Sequence, residues 1–254
     1  MAVTIKTEKE IQILREGGRR LSRILNEVAA KVKAGMTKVE IDKMAEDLIV
    51  KGGDTPAFKN YKPDGASIAF PAVLCISVND EIVHGIPNGY KLKEGDVVGL
   101  DLGINHRGLF TDMAMTVAIG KTDKEAIRLM EVTSQALEVG IMAAVGGATT
   151  GDIGYAIQSF VKPYKLGIVR ELSGHGVGYK VHEDPYVPNY GKRGAGIKLK
   201  PGMVLALEPM LNEGGEDIIL ADDDFTFKTK DGSRSAHFEK TILITEKTAE
   251  ILTP

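Results

Sequence analysis

The chain has 254 residues and a mass of 27.3 kDa, enough for one large domain or two small ones, and its 43% hydrophobic and 26% charged residues exclude a disordered or fibrous protein. A net charge of −3 and a pI near 6.0 exclude the evenly basic field of a general nucleic-acid binder or a polybasic membrane protein. Cys75 is the single cysteine, which excludes an intrachain disulfide and a cysteine-based zinc site; with no apolar run long enough to span a bilayer and no secretory N-terminus, the expected location is the cytoplasm.

From Glu8 to about Val32, apolar residues recur at Ile11, Leu14, Leu21, Leu25 and Val28, the buried stripe of an amphipathic helix that Gly17 and Gly18 interrupt without ending. Thr37 with Glu40 makes a capping box before Ile41, Met44, Leu48 and Ile49, so a second helix starts there and stops at Gly52 and Gly53. LCISV (74–78), VVGLDLG (97–103) and TDMAMTVAIG (111–120) are short and β-rich and read as antiparallel strands, the last two joined by a turn around Asn105 to Gly108. Helices follow from about Lys124 to Ala144 and from Thr150 to about Tyr164, then strands near 203–208 and 238–245. The acidic run from Glu213 to Asp224 reads as a solvated loop.

The chain repeats itself once. KLKEGDVVGLD (91–101) aligns without a gap on KLKPGMVLALE (198–208), setting Asp101 opposite Glu208. H-x-x-P precedes each copy, with His84 in HGIP and His182 in HEDP. G-x-T-x-x-acid-I opens a helix at Gly35 to Ile41 and again at Gly147 to Ile153. Three matched features in one order predict two halves related by a pseudo-twofold axis, each giving an acid from a strand end and a histidine from a loop to a shared cleft.

Asp101 lies between Leu100 and Leu102, Asp112 beside Met113 and Met115; Glu208 ends MVLALE and Glu239 lies in AHFEKTILI. Carboxylates in such apolar settings are costly unless a cation compensates them. His175, flanked by glycines in SGHGVG, is a fifth candidate ligand; the loop lacks the G-K-[ST] of a phosphate cradle. Four carboxylates and an imidazole are a hard, oxygen-rich donor set, and their four negative charges balance two divalent cations, not one. Such a site suits hydrolysis. The H-E-x-x-H and G-x-S-x-G peptidase designs are absent from the sequence.

HGIP, DLG with TD eleven residues after Asp101, SGHGVG, HEDP, LALEPM and SAHFEKT stand in the order found in type I methionine aminopeptidases, which the sequence resembles from about Ile11 to Leu252. The resemblance implies an α/β (α+β) pita-bread fold, two pseudo-twofold-related halves of antiparallel sheet with helices outside. It implies one catalytic domain over 1–254 with halves of about 8–120 and 121–250. It implies removal of the initiator methionine from nascent proteins whose second residue is small. By resemblance Asp101 binds one metal, His175 and Glu208 the other, and Asp112 and Glu239 bridge both. A bridging water attacks the peptide carbonyl with Glu208 assisting proton transfer. His84 and His182 contact the substrate near the scissile nitrogen and the carbonyl oxygen.

The implied cofactors are two divalent ions (Co, Mn, Fe or Zn), with a monovalent cation, Na or K, near Asn79 and Ser235. Phe58, Tyr61, Phe70, Cys75, Val181 and Phe225 are the implied wall of the methionine pocket. The chain departs from familiar members in a longer segment between Tyr61 and Phe70, in Phe225 for a frequent tryptophan and in Val181 for a common aromatic residue. Its length leaves no room for the extensions of eukaryotic type I enzymes or prolidases, which implies a bacterial-type enzyme. Its partners would be nascent N-termini near the ribosome, with no membrane, no specific nucleic acid and a monomeric state. Two alternatives stand beside this reading: a proline-directed peptidase of the same fold, and a catalytically silent relative that binds nascent chains or RNA.

Overall fold

The computed structural model describes residues 3–62 and 68–254. The longer segment expected between Tyr61 and Phe70 has its residues 63–67 outside them. Helices α1 (Glu8–Lys31) and α2 (Lys38–Gly52) each begin at a capping box, Thr7 with Glu10 and Thr37 with Glu40, where side chains satisfy backbone N–H groups that a helix start leaves unpaired. Strands β1 (Thr55–Pro56), β2 (Leu74–Val78), β3 (Glu81–Val83), β4 (Val97–His106) and β5 (Leu109–Ala118) follow. The β4–β5 turn narrows to Arg107 and Gly108, both at positive φ, the conformation a two-residue hairpin needs.

Strand β4 is central, pairing antiparallel with β1 and β2 on one side and β5 on the other. Alternation divides its residues. Leu100, Leu102 and Ile104 join Leu21, Leu25 and Val28 of α1 and Ile41, Ala45 and Ile49 of α2 in one core. Asp101 and Gly103 lie on the opposite face. The apolar face supplies about 1.5–3 kcal/mol per fully buried Leu or Ile, which holds β4 in a register that leaves Asp101 facing away from the helices.

The later chain repeats this plan. Helices α3 (Lys124–Ala143) and α4 (Thr150–Val161), the latter capped by Thr149 with Asp152 and followed by a 3-10 turn (Lys162–Tyr164), precede ten short strands. These are β6 (Gly167–Ile168), β7 (Gly174–Gly176), β8 (Glu183–Val187), β9 (Val204–Leu207), β10 (Met210–Asn212), β11 (Ile218–Leu220), β12 (Phe227–Thr229), β13 (Ser235–His237), β14 (Lys240–Ile244) and β15 (Ala249–Ile251). A five-stranded sheet, β15-β14-β9-β7-β8, packs Leu205, Leu207, Ile242 and Ile244 against α3 and α4. Two three-stranded sheets, β13-β10-β6 and β11-β12-β3, complete the fold.

The sequence repeat has matching structure. Gly35 and Gly147 adopt φ of 89° and 90°, and the capping threonines form isolated bridges with the repeated lysines, Thr37 with Lys91 and Thr149 with Lys198. One expectation is corrected. The acidic run from Glu213 to Asp224 is not all loop: Ile218–Leu220 forms β11, pairing with β12, because three consecutive apolar residues interrupt the charges. No helix among the described residues is long and apolar enough to cross a membrane.

Candidate active site

The site forms where the two larger sheets meet. Cross-strand pairing sets Asp101 opposite Ala114 and Gly103 opposite Asp112, so both aspartates lie on one face of the β4–β5 hairpin as diagonal neighbours. From the later chain, His175 of β7 pairs with Ala206 of β9, and Ala206 with Thr241 of β14. Glu208 and Glu239 follow two residues along from Ala206 and Thr241. There the β9–β14 ladder ends at Leu207–Lys240, and the same two chain segments pair again as β10 and β13 from Met210–His237. The break between the ladders holds both glutamates.

Reciprocal contacts lock the two sheets together. Thr241 Oγ1 donates to the Asp112 carbonyl at 2.7 Å and accepts the Asp112 N–H at 2.9 Å. Thr116 Oγ1 does the same to His237, donating to its carbonyl at 2.7 Å and accepting its N–H at 2.9 Å. The Glu239 N–H donates to the Ala114 carbonyl at 2.9 Å. Ligand atoms of Asp112, His175 and Glu239 consequently lie within 4.8 Å of one another, all three residues buried.

His175 is threaded between strands that only glycine permits: a Cβ at Gly174 would meet the Ala206 carbonyl and one at Gly176 the Asp184 carbonyl. Its Nδ1 lies 2.9 Å from the Gly176 carbonyl, which can only accept, so the proton sits on Nδ1 and Nε2 presents a lone pair 3.5 Å from Glu208 Oε1. Burial lowers the His175 pKa to about 4, so the ring is neutral, the form that ligates metals.

The carboxylates shift the opposite way. Burial, reinforced by neighbouring carboxylates, raises Asp101 and Glu239 well above the ordinary range and Asp112 to about 7; burial also raises Glu208 to about 8. Asp101 Oδ1 and Glu239 Oε1 are buried with no hydrogen-bond partner among the described residues. Orphaned carboxylate oxygens beside a neutral imidazole are the donor set of a hard or borderline divalent cation, whose charge would relieve the repulsion; the residues fit such an ion.

Two histidines line the cleft without joining that cluster. His84 follows β3 at φ 59°, a left-handed conformation unusual for a non-glycine residue. Its ring lies edge-on to Phe227 at 5.9 Å. His182 stands 4.5 Å from His175 between ring centres, and its Nδ1 is 2.8 Å from the Tyr61 hydroxyl. Burial lowers His84 to about 4 and His182 to about 3, so both rings are neutral. Both, like Glu208, keep partial exposure while Asp101, Asp112, His175 and Glu239 are buried.

Phe58, Phe70, Cys75, Val181 and Phe225, with Tyr61 at their margin, form one apolar cluster. The Phe70 and Phe225 rings meet edge to face at 5.3 Å. Cys75 pairs with Asp101 in the β2–β4 register, and burial pushes its thiol well up, which keeps it protonated as a wall residue and not a thiolate nucleophile. The Asn79 carbonyl accepts the Ser235 N–H at 2.9 Å. Sequence reasoning missed Ala57, Ala72, Ile86 and Phe110 in the cluster, the two threonines, and His237, whose Nε2 lies 3.5 Å from Glu208 Oε2. Two-residue alternation back from Glu239 was the signal for His237.

Fold and site together define a metal-dependent hydrolase, and the chain belongs to metallopeptidase family M24, whose model matches residues 12–246. Relatives that it matches over nearly their full length are named methionine aminopeptidase. The one from Clostridium perfringens is 43% identical over 251 residues, 99% of this chain and 98% of that one. The crystal structure of methionine aminopeptidase from Rickettsia prowazekii superposes with a TM-score of 0.95 at 37% identity, covering 100% of both chains. The prolidase from Pyrococcus horikoshii shares the fold alone, with a TM-score of 0.77 at 22% identity over 98% of this chain and 63% of its own. The comparisons favour the methionine-directed reading over the proline-directed one.

Proposed function

We propose that the chain removes the initiator methionine from nascent proteins whose second residue is small, as a dinuclear metalloaminopeptidase in which both halves act as one catalytic unit. The observation that carries this reading is the cluster of Asp112, His175 and Glu239, with Asp101 and Glu208 beside it and an apolar cluster of side chains next to Asp101. Asp101 would hold one divalent ion, His175 and Glu208 the other, with Asp112 and Glu239 shared. Four carboxylates neutralise two such ions, whereas one ion would leave two charges uncompensated in a largely buried cluster. Bound there, cobalt, manganese, iron or zinc would polarise the scissile carbonyl and supply a nucleophile at neutral pH.

The remaining steps belong to the side chains. The pocket of Phe58, Tyr61, Phe70, Cys75, Val181 and Phe225 takes the thioether, selecting by apolar burial and sulfur–aromatic contact. Glu208, partly exposed and the only carboxylate of the set flanked by two imidazoles, accepts a proton during attack and returns it to the leaving amine. Tyr61, 2.8 Å from His182 Nδ1, orients the ring; with its hydroxyl as the donor, the His182 proton would stand on Nε2 for the substrate carbonyl oxygen. His84 meets the scissile nitrogen. A sodium or potassium ion beside Asn79 and Ser235, a cytoplasmic location, a monomeric state and transient work near the ribosome belong to the same reading.

A competition assay tests it. Met-Ala-Ser and an Xaa-Pro dipeptide are offered together with Co²⁺, Mn²⁺ or Fe²⁺. Methionine release that a chelator stops is the expected outcome; preferential cleavage of the Xaa-Pro bond would support the proline-directed alternative. No methionine release with any of these metals, together with wild-type-like function of Asp112→Ala, would support the silent binding protein.

A further inference from the structure

His237 is the remaining histidine at the centre of the site, and the proposed steps leave it without a task. It is 3% exposed, and its Nε2 has no hydrogen-bond partner among the described residues. A buried imidazole nitrogen left unpaired is costly. Its neighbour is Glu208 Oε2 at 3.5 Å, while His175 Nε2 stands 3.5 Å from the other oxygen, Oε1. Glu208 is therefore bracketed, one imidazole to each oxygen.

The two imidazoles are not equivalent. His175 spends its proton on the Gly176 carbonyl and turns a lone pair toward Glu208. Once Glu208 is ionised, as a metal ligand must be, a lone pair on His237 Nε2 would face the carboxylate oxygen unfavourably, whereas a proton there makes a charge-assisted hydrogen bond as the 3.5 Å gap closes by roughly 0.6 Å. The backbone of His237 is fixed for this purpose. Thr116 Oγ1 holds both its N–H and its carbonyl, and Met210, two residues beyond Glu208, is its register partner.

We propose that His237 is a positioning residue for Glu208: its Nε2–H anchors Oε2 and leaves Oε1 turned toward His175 and the metal site. This rests on the function proposed above. A glutamate held by one oxygen has one rotamer to offer a metal, so the anchor raises affinity by removing side-chain freedom beforehand. Glutamine, whose amide N–H reaches a similar distance, can replace the donor; leucine fills the space and cannot.

The test uses wild type, His237→Leu and His237→Gln, each stripped of metal. Mn²⁺ affinity and stoichiometry are measured by calorimetry, the metal-free melting temperature by scanning calorimetry, and kcat and KM on Met-Ala-Ser. His237→Leu is expected to bind Mn²⁺ about 10–100-fold more weakly. Its kcat should fall with KM little changed and its metal-free melting temperature close to wild type, and His237→Gln should recover affinity and kcat. Wild-type Mn²⁺ affinity in His237→Leu overturns the proposal, as does a His237→Gln protein as impaired as His237→Leu. If the leucine variant fails to fold, the glutamine variant decides alone: near-wild-type affinity supports the anchor, and a leucine-like collapse overturns it. A wild-type protein that binds no divalent ion overturns the parent function as well, which separates the two failures.

Discussion

Thr241 grips Asp112 twice, donating to its carbonyl and accepting its N–H through one hydroxyl. The grip crosses from one sheet to the other and sets the depth at which an aspartate of the β4–β5 hairpin meets Glu239 of the later chain. Thr241→Val keeps the shape and removes the hydroxyl, leaving two buried backbone groups unpaired at about 1–3 kcal/mol each. The urea midpoint should fall, bound Mn²⁺ should fall with it, and Thr241→Ser should restore both. Unchanged metal content in a destabilised Thr241→Val protein would separate the staple from the site.

Ligands and substrate contacts should part company on substitution. Glu239→Ala removes the carboxylate that the proposed function shares between two ions, and should abolish both metal retention and methionine release. His84→Ala should lower turnover about 10²-fold or more, the range of a lost acid–base or polar catalytic group, with metal content largely unchanged. Elemental analysis beside the peptide assay reads both; equal metal loss in the two variants would refute the distinction.

The pocket makes a prediction about size. Phe225 closes on Phe70 edge to face, so on the proposed reading Phe225→Leu should loosen the wall against the methionine side chain. A loss of about 1–3 kcal/mol in transition-state binding, or roughly 10–200-fold in kcat/KM, is the scale for one hydrophobic contact. A norleucine-first peptide should lose as much, since apolar burial does the selecting. Unaltered kinetics on both peptides would place Phe225 outside the substrate's reach.

Much of this was legible in the sequence. The capping box at Thr37, the G-x-T-x-x-acid-I repeat from Gly35 and from Gly147, and the K-L-K-x-G-x-V repeat identified the paired helix starts and the matched strands, because those signals are local. Asp101, Asp112, Glu208 and Glu239 stood out because charge on an apolar strand is costly. What escaped was assembled by distance. Thr116 and His237 are 121 residues apart, as are Tyr61 and His182. Three-residue strands such as β10 and β13 carry too few positions for a period to register. The acidic run hid β11 because its charges outnumber the three apolar residues within it.

A fourth prediction concerns pH. Asp42 Oδ1 accepts the N–H groups of Val73 and Leu74, which orients β2 and so Cys75 beside Asp101. Burial raises its pKa, outweighing the N–H groups that lower it. A raised carboxyl binds its proton more tightly in the folded state, so stability falls as pH rises from the ordinary carboxylate value through the raised one, and stays lower above it. Asp42→Asn keeps an accepting oxygen and cannot ionise. Its melting temperature should exceed wild type at pH 7, with the advantage vanishing in acid below both values. An equal advantage at both pH values would assign the effect elsewhere.

The central claim is that buried carboxylates and His175 hold divalent metal for methionine release, and one titration meets it most directly. Metal-free protein is mixed with Met-Ala-Ser, and free methionine is followed as Mn²⁺ is added. The account predicts no release before metal, release that rises with added ion, and its loss on chelation. Release that persists in excess chelator, or none with Mn²⁺, Co²⁺ or Fe²⁺, would contradict it.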